Sequence, residues 1–288
     1  MTKRKSYKNR RILTRILVTV VLAVLAFTMI VPFLWMLSAS LKVESEVMKL
    51  PIKWIPDPIN TKSYVNVWDI GGAAKVKYHF DVAYINSLYI ALICLAGAVL
   101  TSSLAGYAFA KIPFKGANVV FLLYLATMMV PSQVTLVPRF VMFKEMGMMG
   151  THWPLILPHL VTITGTFLMR QYFLQIPNEL KEAAFIDGAN EYQIWARVML
   201  PIAKPSMAAL AMLAFLWSWN DYLDPIVFLS NWRTYTIPIA LTNFIEESSM
   251  QYNMTMAAAS SALIPVFVVF LFGQKFFVKG LVAGAVKG

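Results

Sequence analysis

The chain has 288 residues, of which 59% are apolar and only 14% charged, against about 45–50% and about 25% in ordinary soluble domains. Fourteen acidic residues and 25 basic ones cannot coat the core such a chain would bury; the apolar excess must face lipid, and a soluble or disordered chain is excluded. The net charge of +11 does not mark a nucleic-acid binder, because seven bases crowd the N-terminus (Lys3, Arg4, Lys5, Lys8, Arg10, Arg11 and Arg15) and the others are scattered, the pattern of membrane topology under the positive-inside rule.

A hydrocarbon core of about 30 Å takes about 20 helical residues to cross. In chain order, residues 16–41, 82–110, 116–138, 146–169 and 248–274 are free of Asp, Glu, Lys and Arg. Residues 205–220 are charge-free but shorter, and are expected to run on through Asp221 and Asp224 to Phe228. The reading is an all-α polytopic membrane protein with six transmembrane helices. The first apolar stretch, from Ile16 to Leu37, exceeds the 7–15 residues of a typical signal peptide, so it reads as an uncleaved span despite Ser38-Ala39-Ser40 behind it. Cys94, the single cysteine, lies in an apolar run and reads as a small buried hydrophobe. Trp35, Trp153, Trp217 and Trp219 lie towards span ends, as interfacial anchors would. Pro32, Pro131, Pro158, Pro225 and Pro265 fall in the spans and permit kinks.

Six spans put both termini on one side. If that side is the cytoplasm, sixteen of the 25 bases lie inside and nine outside, which sets the orientation. Residues 42–81 and 231–247 are then outside, and residues 175–204 form a long inner loop. Asn220, Asp221 and Asp224 fall at the outer end of the short span. A carboxylate facing mid-bilayer lipid costs about 2.5–3.5 kcal/mol, so these three are candidates to face an interior pathway or the outer interface.

The inner loop carries the most information. Pro177 and Asn178 are helix-start signals, with Asn178 a candidate N-cap. Glu179 and Glu182 suit a first turn, and Leu180, Ala183 and Ala184 share one face. Gly188 breaks or turns the helix. A second short helix follows, with Tyr192, Trp195, Val198 and Met199 at helical spacing and Leu200-Pro201 as its end. Two short amphipathic helices thus meet at a glycine. The first is too acidic and too poor in large apolar residues to lie on lipid, which favours a protein docking element.

Glu182-Ala183-Ala184, Gly188 after Phe185-Ile186-Asp187, and the closing Leu200-Pro201 resemble the EAA loop of binding-protein-dependent ABC importer permeases. Val198 stands where that family commonly has isoleucine. Trp219-Asn220-Asp221-Tyr222, Pro131-Ser132-Gln133-Val134 and the run from Phe277 to Gly288 look like its carbohydrate-uptake branch, the MalG-like subunits. Asp224 departs from that branch, which more often has an aromatic or apolar residue there.

The resemblance implies a type I ABC importer permease fold. It divides the chain into a cytoplasmic basic N-terminus (1–15) and a six-helix permease domain (16–288), with outer loop 42–81, cytoplasmic EAA coupling loop 175–204 and C-terminal tail 276–288. The implied function is the transmembrane subunit of an ATP-driven sugar importer in the cell membrane, forming half of the translocation pathway. The implied partners are a second homologous permease subunit, two ATPase subunits, an extracytoplasmic solute-binding protein and a carbohydrate substrate. No G-x-x-x-x-G-K-[S/T] phosphate loop occurs in this chain, so no cofactor is expected on it, with ATP and Mg bound by the ATPase subunits. The resemblance assigns ATPase coupling to Glu182, Ala183, Ala184, Asp187, Gly188, Leu200 and Pro201, and an ATPase contact to Lys279, Gly280 and Gly284.

Two other classes remain. A membrane-embedded enzyme could use His152 and His159, seven residues apart, although no acid or cysteine accompanies them in the span and interhelical hydrogen bonds account for them. An ion-coupled secondary carrier would need a midplane ionisable group, for which Asp221 and Asp224 are the candidates.

Overall fold

The computed structural model describes residues 2–68, 79–247 and 251–285, with side chains over 11–68, 79–242 and 251–276. Every regular element among them is helical. The chain divides into two compact units, Met1–Val76 with Phe244–Ser261, and Lys77–Asn243 with Ala262–Gly288.

The first unit is led by α1 (Thr2–Ser40). This helix includes the basic N-terminal residues instead of starting after them. Leu13, Leu17, Leu22, Phe27 and Met29 are exposed along it, and such a surface needs lipid or another subunit around it. Only its end is buried. There Ser40 Oγ lies 2.8 Å from Tyr64 Oη, and Asn253 ties back, its side chain donating to the Lys42 carbonyl at 3.2 Å and its backbone N–H to Glu44 at 3.0 Å.

The second unit is built on α2 (Phe80–Lys111). Next come α3 (Ala117–Ala126), α4 (Ser132–Glu145) and α5 (Ile163–Gln175). The inner-loop helices α6 (Glu179–Ile186) and α7 (Glu191–Ile194) follow. The unit is completed by α8 (Lys204–Trp219), α9 (Leu223–Phe228), α10 (Ile237–Glu247) as far as Asn243, and the later part of α11 (Tyr252–Ala285). Small residues let α2 and α5 meet backbone to backbone. A Cβ on Gly106 would lie 2.8 Å from the Arg170 nitrogen, and one on Gly165 would lie 2.4 Å from Ser102 Oγ. Around this contact Tyr107, Met169, Phe173, Ile194, Trp195 and Leu210 form one core. Cys94 is buried in a second core with Ile90, Phe143, Leu155 and Phe228, as expected of a small hydrophobe.

The six-span count of the sequence reading is not confirmed by helix length and composition among the described residues. Among the described residues, three unbroken helices are long and apolar enough to cross a membrane: Arg11–Ser40, Phe80–Lys111 and Tyr252–Phe276. Two more candidates are bent pairs, Ala117–Met129 with Ser132–Glu145 at 93°, and Glu191–Ile202 with Lys204–Trp219 at 83°. The first bend falls at Pro131, which holds the preceding Val130 extended. The expected span over 146–169 is not one helix. Short turns at Trp153–Ile156 and Leu157–Leu160 give way to extended Val161 and Thr162, and Thr162 Oγ1 then caps α5 by accepting from Gly165 N–H. The expected run of α8 through the aspartates to Phe228 does not occur either. Asn220 ends the helix, its side chain donating to the Leu216 carbonyl at 2.9 Å, and α9 starts afresh at Leu223. Trp219 is a core residue, not an interfacial anchor: it stacks on Phe215 and donates to the Ala262 carbonyl. The C-terminal tail continues α11 as helix to Ala285.

Candidate functional site

The inner loop folds as two short helices about a glycine, and its boundaries follow local chemistry. Gly188 has φ +84°, left-handed backbone that glycine adopts without strain. Its N–H donates to the Phe185 carbonyl, and the Ala189 N–H donates to the Ala184 carbonyl. This pair of bonds is the Schellman arrangement that closes a helix. α7 begins with a reciprocal cap: the Asn190 side chain accepts from Gln193 N–H, and the Gln193 side chain accepts from Asn190 N–H. A π-turn over Trp195–Met199 then leads into Leu200–Ile202. Pro201 therefore does not end the helix where the sequence suggests. The widened turn ahead of it accommodates a residue that has no N–H, and the sharp change of direction comes at Ala203.

Asn178 is not a side-chain N-cap. Its carboxamide oxygen is taken by Lys111, whose ammonium donates to it at 2.6 Å and to the Ile176 carbonyl at 2.5 Å. Lys181 on α6 donates to the Lys111 carbonyl and pairs with Glu191 at 2.7 Å. Tyr107 on α2 donates to the other Glu191 oxygen at 2.5 Å. Burial alone would push the Glu191 carboxyl up, but these two donors outweigh it and hold it below its ordinary value. α2, α6 and α7 are thus joined by a charge-assisted network. We expect Tyr107→Phe to loosen it. Hydrogen bonds to charged groups contribute about 1.5–3 kcal/mol, but the Glu191 side chain is 42% exposed and solvent screening reduces this to about 1 kcal/mol. Amide exchange over residues 190–200 should rise about five-fold in the variant; unchanged exchange would mean the bridge braces nothing.

α6 presents two different faces. Ala184 packs on the unit's own core together with Ala189. Phe185 and Ile186 are 65% and 84% exposed, and Glu182, Ala183, Asp187 and Gly188 are exposed beside them. The expected docking face of Leu180, Ala183 and Ala184 is therefore divided, because the Lys181 anchor turns the Ala184 side of the helix inward. Leu200 is half-buried against the same core and Pro201 is exposed.

The candidate pathway residues lie at the other end of α8, 16 residues or about 24 Å away. Asn220 is exposed and Asp221 half-buried. Asp224 is buried and bound by Arg139 on α4 through two hydrogen bonds of 2.6 and 2.9 Å. Sequence reasoning missed Arg139, which stands 85 positions away; it missed Tyr107, Lys111 and Lys181 for the same reason, and it also missed the Asn190-x-x-Gln193 cap, which the local spacing could have shown. Lys279, Gly280 and Gly284 fall on the last turns of α11, and their side chains lie outside the described residues. His152 accepts from Tyr89 Oη and donates to the Thr234 carbonyl, and His159 donates to the Leu155 carbonyl. Both histidines are thus engaged in hydrogen bonding within the fold.

Long apolar helices, with a small helix braced to their ends and an apolar tip left exposed, are the features of a polytopic membrane protein. Residues 98–282 match the model of the family described as binding-protein-dependent transport system inner membrane component. The chain belongs to that family. It is 34% identical over 274 residues to the arabinooligosaccharides transport system permease protein AraQ of Halalkalibacterium halodurans, covering 94% of this chain and 96% of that one. The galactooligosaccharides transport system permease protein GanQ of Bacillus subtilis is 32% identical, with 98% of each chain covered. The sn-glycerol-3-phosphate transport system permease protein UgpE of Yersinia pestis is 32% identical, with 96% of this chain and 98% of that one covered. These relatives are transport permeases, not enzymes. In fold the chain is similar to a bacterial ABC transporter involved in the import of the acidic polysaccharide alginate, with TM-score 0.80, 23% identity, and 91% of this chain and 95% of that chain covered.

Proposed function

We propose that this permease forms half of the pathway of an ATP-driven importer of a carbohydrate or a sugar-like polyol. A second permease subunit forms the other half. Two ATPase subunits, which hold ATP and Mg, engage the loop over 175–204, and a solute-binding protein delivers substrate from outside. Both termini lie in the cytoplasm, in keeping with the sixteen bases placed on that side. The named cargoes of the relatives, two oligosaccharide classes and a glycerol phosphate, support the substrate class.

The observation that carries the coupling role is the exposed Phe185–Ile186 tip on a helix pinned by Lys181 and Glu191. A helix held this firmly moves with α2 and α7 as one body when something grips its tip, so ATP-driven closure of the ATPases is transmitted as a rigid displacement. The C-terminal turns bearing Lys279, Gly280 and Gly284 are a second proposed ATPase contact. Asn220 and Asp221 are the proposed pathway residues.

Crosslinking separates the two faces of α6. In a Cys94→Ala background of the assembled transporter, Ile186→Cys is expected to crosslink to a cysteine in the ATPase docking cleft at high yield. Ala184→Cys is expected to give at most about a tenth of it, because Ala184 packs inward. Equal yields, or the reverse order, would remove Phe185–Ile186 from the docking role.

A further inference from the structure

A groove of about 1080 Å³ opens between the α2–α3 turn, α5 and α6. Its wall away from the α6 tip is made by Phe109, Phe114, Lys115, Asn118, Arg170 and Leu174. This wall has two characters. Phe114 and Leu174 are 43% and 47% exposed apolar side chains, and the groove opens beside α3, whose Val119, Val120, Leu122 and Leu123 are 49–66% exposed. Beyond Asn118 in its first turn, the exposed side chains of α3 are apolar, a surface suited to acyl chains. The groove therefore sits where the apolar belt meets the polar edge.

The charged lining is one-sided. Lys111, Lys115, Arg170 and Lys181 line the groove against one acid, Glu182. Lys181 is neutralised by Glu191. Lys111 is directed inward, to the Ile176 carbonyl and Asn178. Arg170 has no carboxylate partner among the described residues. Its Nε donates to the Phe109 carbonyl and one terminal nitrogen to Asn118, both at 3.3 Å, and the guanidinium lies 4.1 Å over the Phe121 ring. These contacts fix the plane of the guanidinium and leave N–H donors over, the geometry that suits phosphate oxygens. Lys115 is exposed and makes no hydrogen bond or ion pair among the described residues. A fixed arginine and a free lysine thus stand beside an apolar slot at the polar boundary.

We propose that this groove holds an anionic membrane phospholipid, its phosphate between Arg170 and Lys115 and its acyl chains along Phe114, Leu174 and the outer face of α3. The α6 side of the groove, with Glu182, Phe185 and Ile186, stays open to the ATPase. The lipid fills the wedge between α6 and the membrane and holds the coupling helix at a fixed height above the apolar belt. The site is independent of the transported substrate.

The test is native mass spectrometry of the assembled transporter in detergent with added phosphatidylglycerol or phosphatidylcholine. The expected result is retention of phosphatidylglycerol over phosphatidylcholine. Lys115→Gln should cut that preference about five-fold, the effect of about 1 kcal/mol per basic residue near an anionic surface. Arg170→Gln should cut it at least as much. Because Arg170 also holds Phe109 and Asn118, the contact-free Lys115 variant is the decisive one. Equal retention of the two lipids, or an unchanged preference in Lys115→Gln, would overturn the proposal. Inorganic phosphate at millimolar concentration should not displace the lipid; if it does, the groove takes a soluble phosphate and the lipid assignment fails.

Discussion

Gly188→Val is expected to reduce ATP-driven uptake at least ten-fold while the permease still inserts and assembles. The cause is conformational, not steric. A Cβ built on Gly188 meets nothing within 4 Å, so there is space for a side chain. The backbone, however, has φ +84°, which a β-branched residue occupies only at a cost of about 1–3 kcal/mol. The chain can escape that cost by leaving the left-handed region, and the Gly188 and Ala189 hydrogen bonds to Phe185 and Ala184 then break. The last turn of α6 unwinds and the exposed Phe185 and Ile186 lose their fixed direction. The core contacts of Met169, Phe173 and Ile194 are untouched, so assembly survives. Gly188→Asn makes the comparison specific, because asparagine tolerates the left-handed region best after glycine. It should retain most uptake. Equal uptake in the valine variant and the wild type would mean that the direction of α6 is not what couples the subunits; equal loss in the valine and asparagine variants would point to a steric requirement for glycine at the docking surface.

What the sequence made legible follows from the range of the forces involved. Charge-free windows report lipid exposure directly, since a charge in the bilayer core costs several kcal/mol wherever the chain goes; α1, α2 and α11 were readable on that ground. The glycine joint and its two flanking helices were readable because Schellman closure is a local event of half a dozen residues. Breaks inside the apolar windows were not. Thr162 and Asn220 stop or start helices through single side-chain hydrogen bonds, and the same residue types sit inside membrane helices elsewhere in this chain, as Asn86 and Thr101 do in α2. Hydropathy is blind to that choice. The inner-loop site was legible as a motif but not as a surface. Which side of α6 faces outward depends on Lys181 finding Glu191 and the Lys111 carbonyl, and the Lys111 contact lies 70 positions away. Asn178 illustrates the same competition: as a local cap it would have bonded its own helix, and a lysine from α2 took its oxygen instead.

Asp224 is where that blindness matters most, and its variant is expected to have the second large effect. In the sequence it stands with Asn220 and Asp221 as a candidate pathway group. In the structure it is 7% exposed, and both its oxygens are taken by Arg139, whose guanidinium also lies 5.8 Å from the Phe228 ring. A carboxylate so deeply buried, with each oxygen already turned to Arg139, is poorly placed to meet a sugar hydroxyl. Its work is to fasten α4 to α9. Asp224→Ala leaves the Arg139 charge without its partner in a low-dielectric setting, at a cost of about 3–5 kcal/mol, a large fraction of a typical folding stability. Little assembled permease should reach the membrane, and what does should melt well below the wild type. Removing both charges in Arg139→Met with Asp224→Leu takes away the unpaired ion as well as the bond, and such replacements are often neutral or stabilising. The double variant should therefore regain assembly, thermal stability and uptake together. Recovery of assembly without uptake would return Asp224 to the translocation pathway. Asp221→Asn supplies the contrast: with Asp221 half-buried and unpaired by any salt bridge among the described residues, this change should leave assembly intact and lower uptake alone.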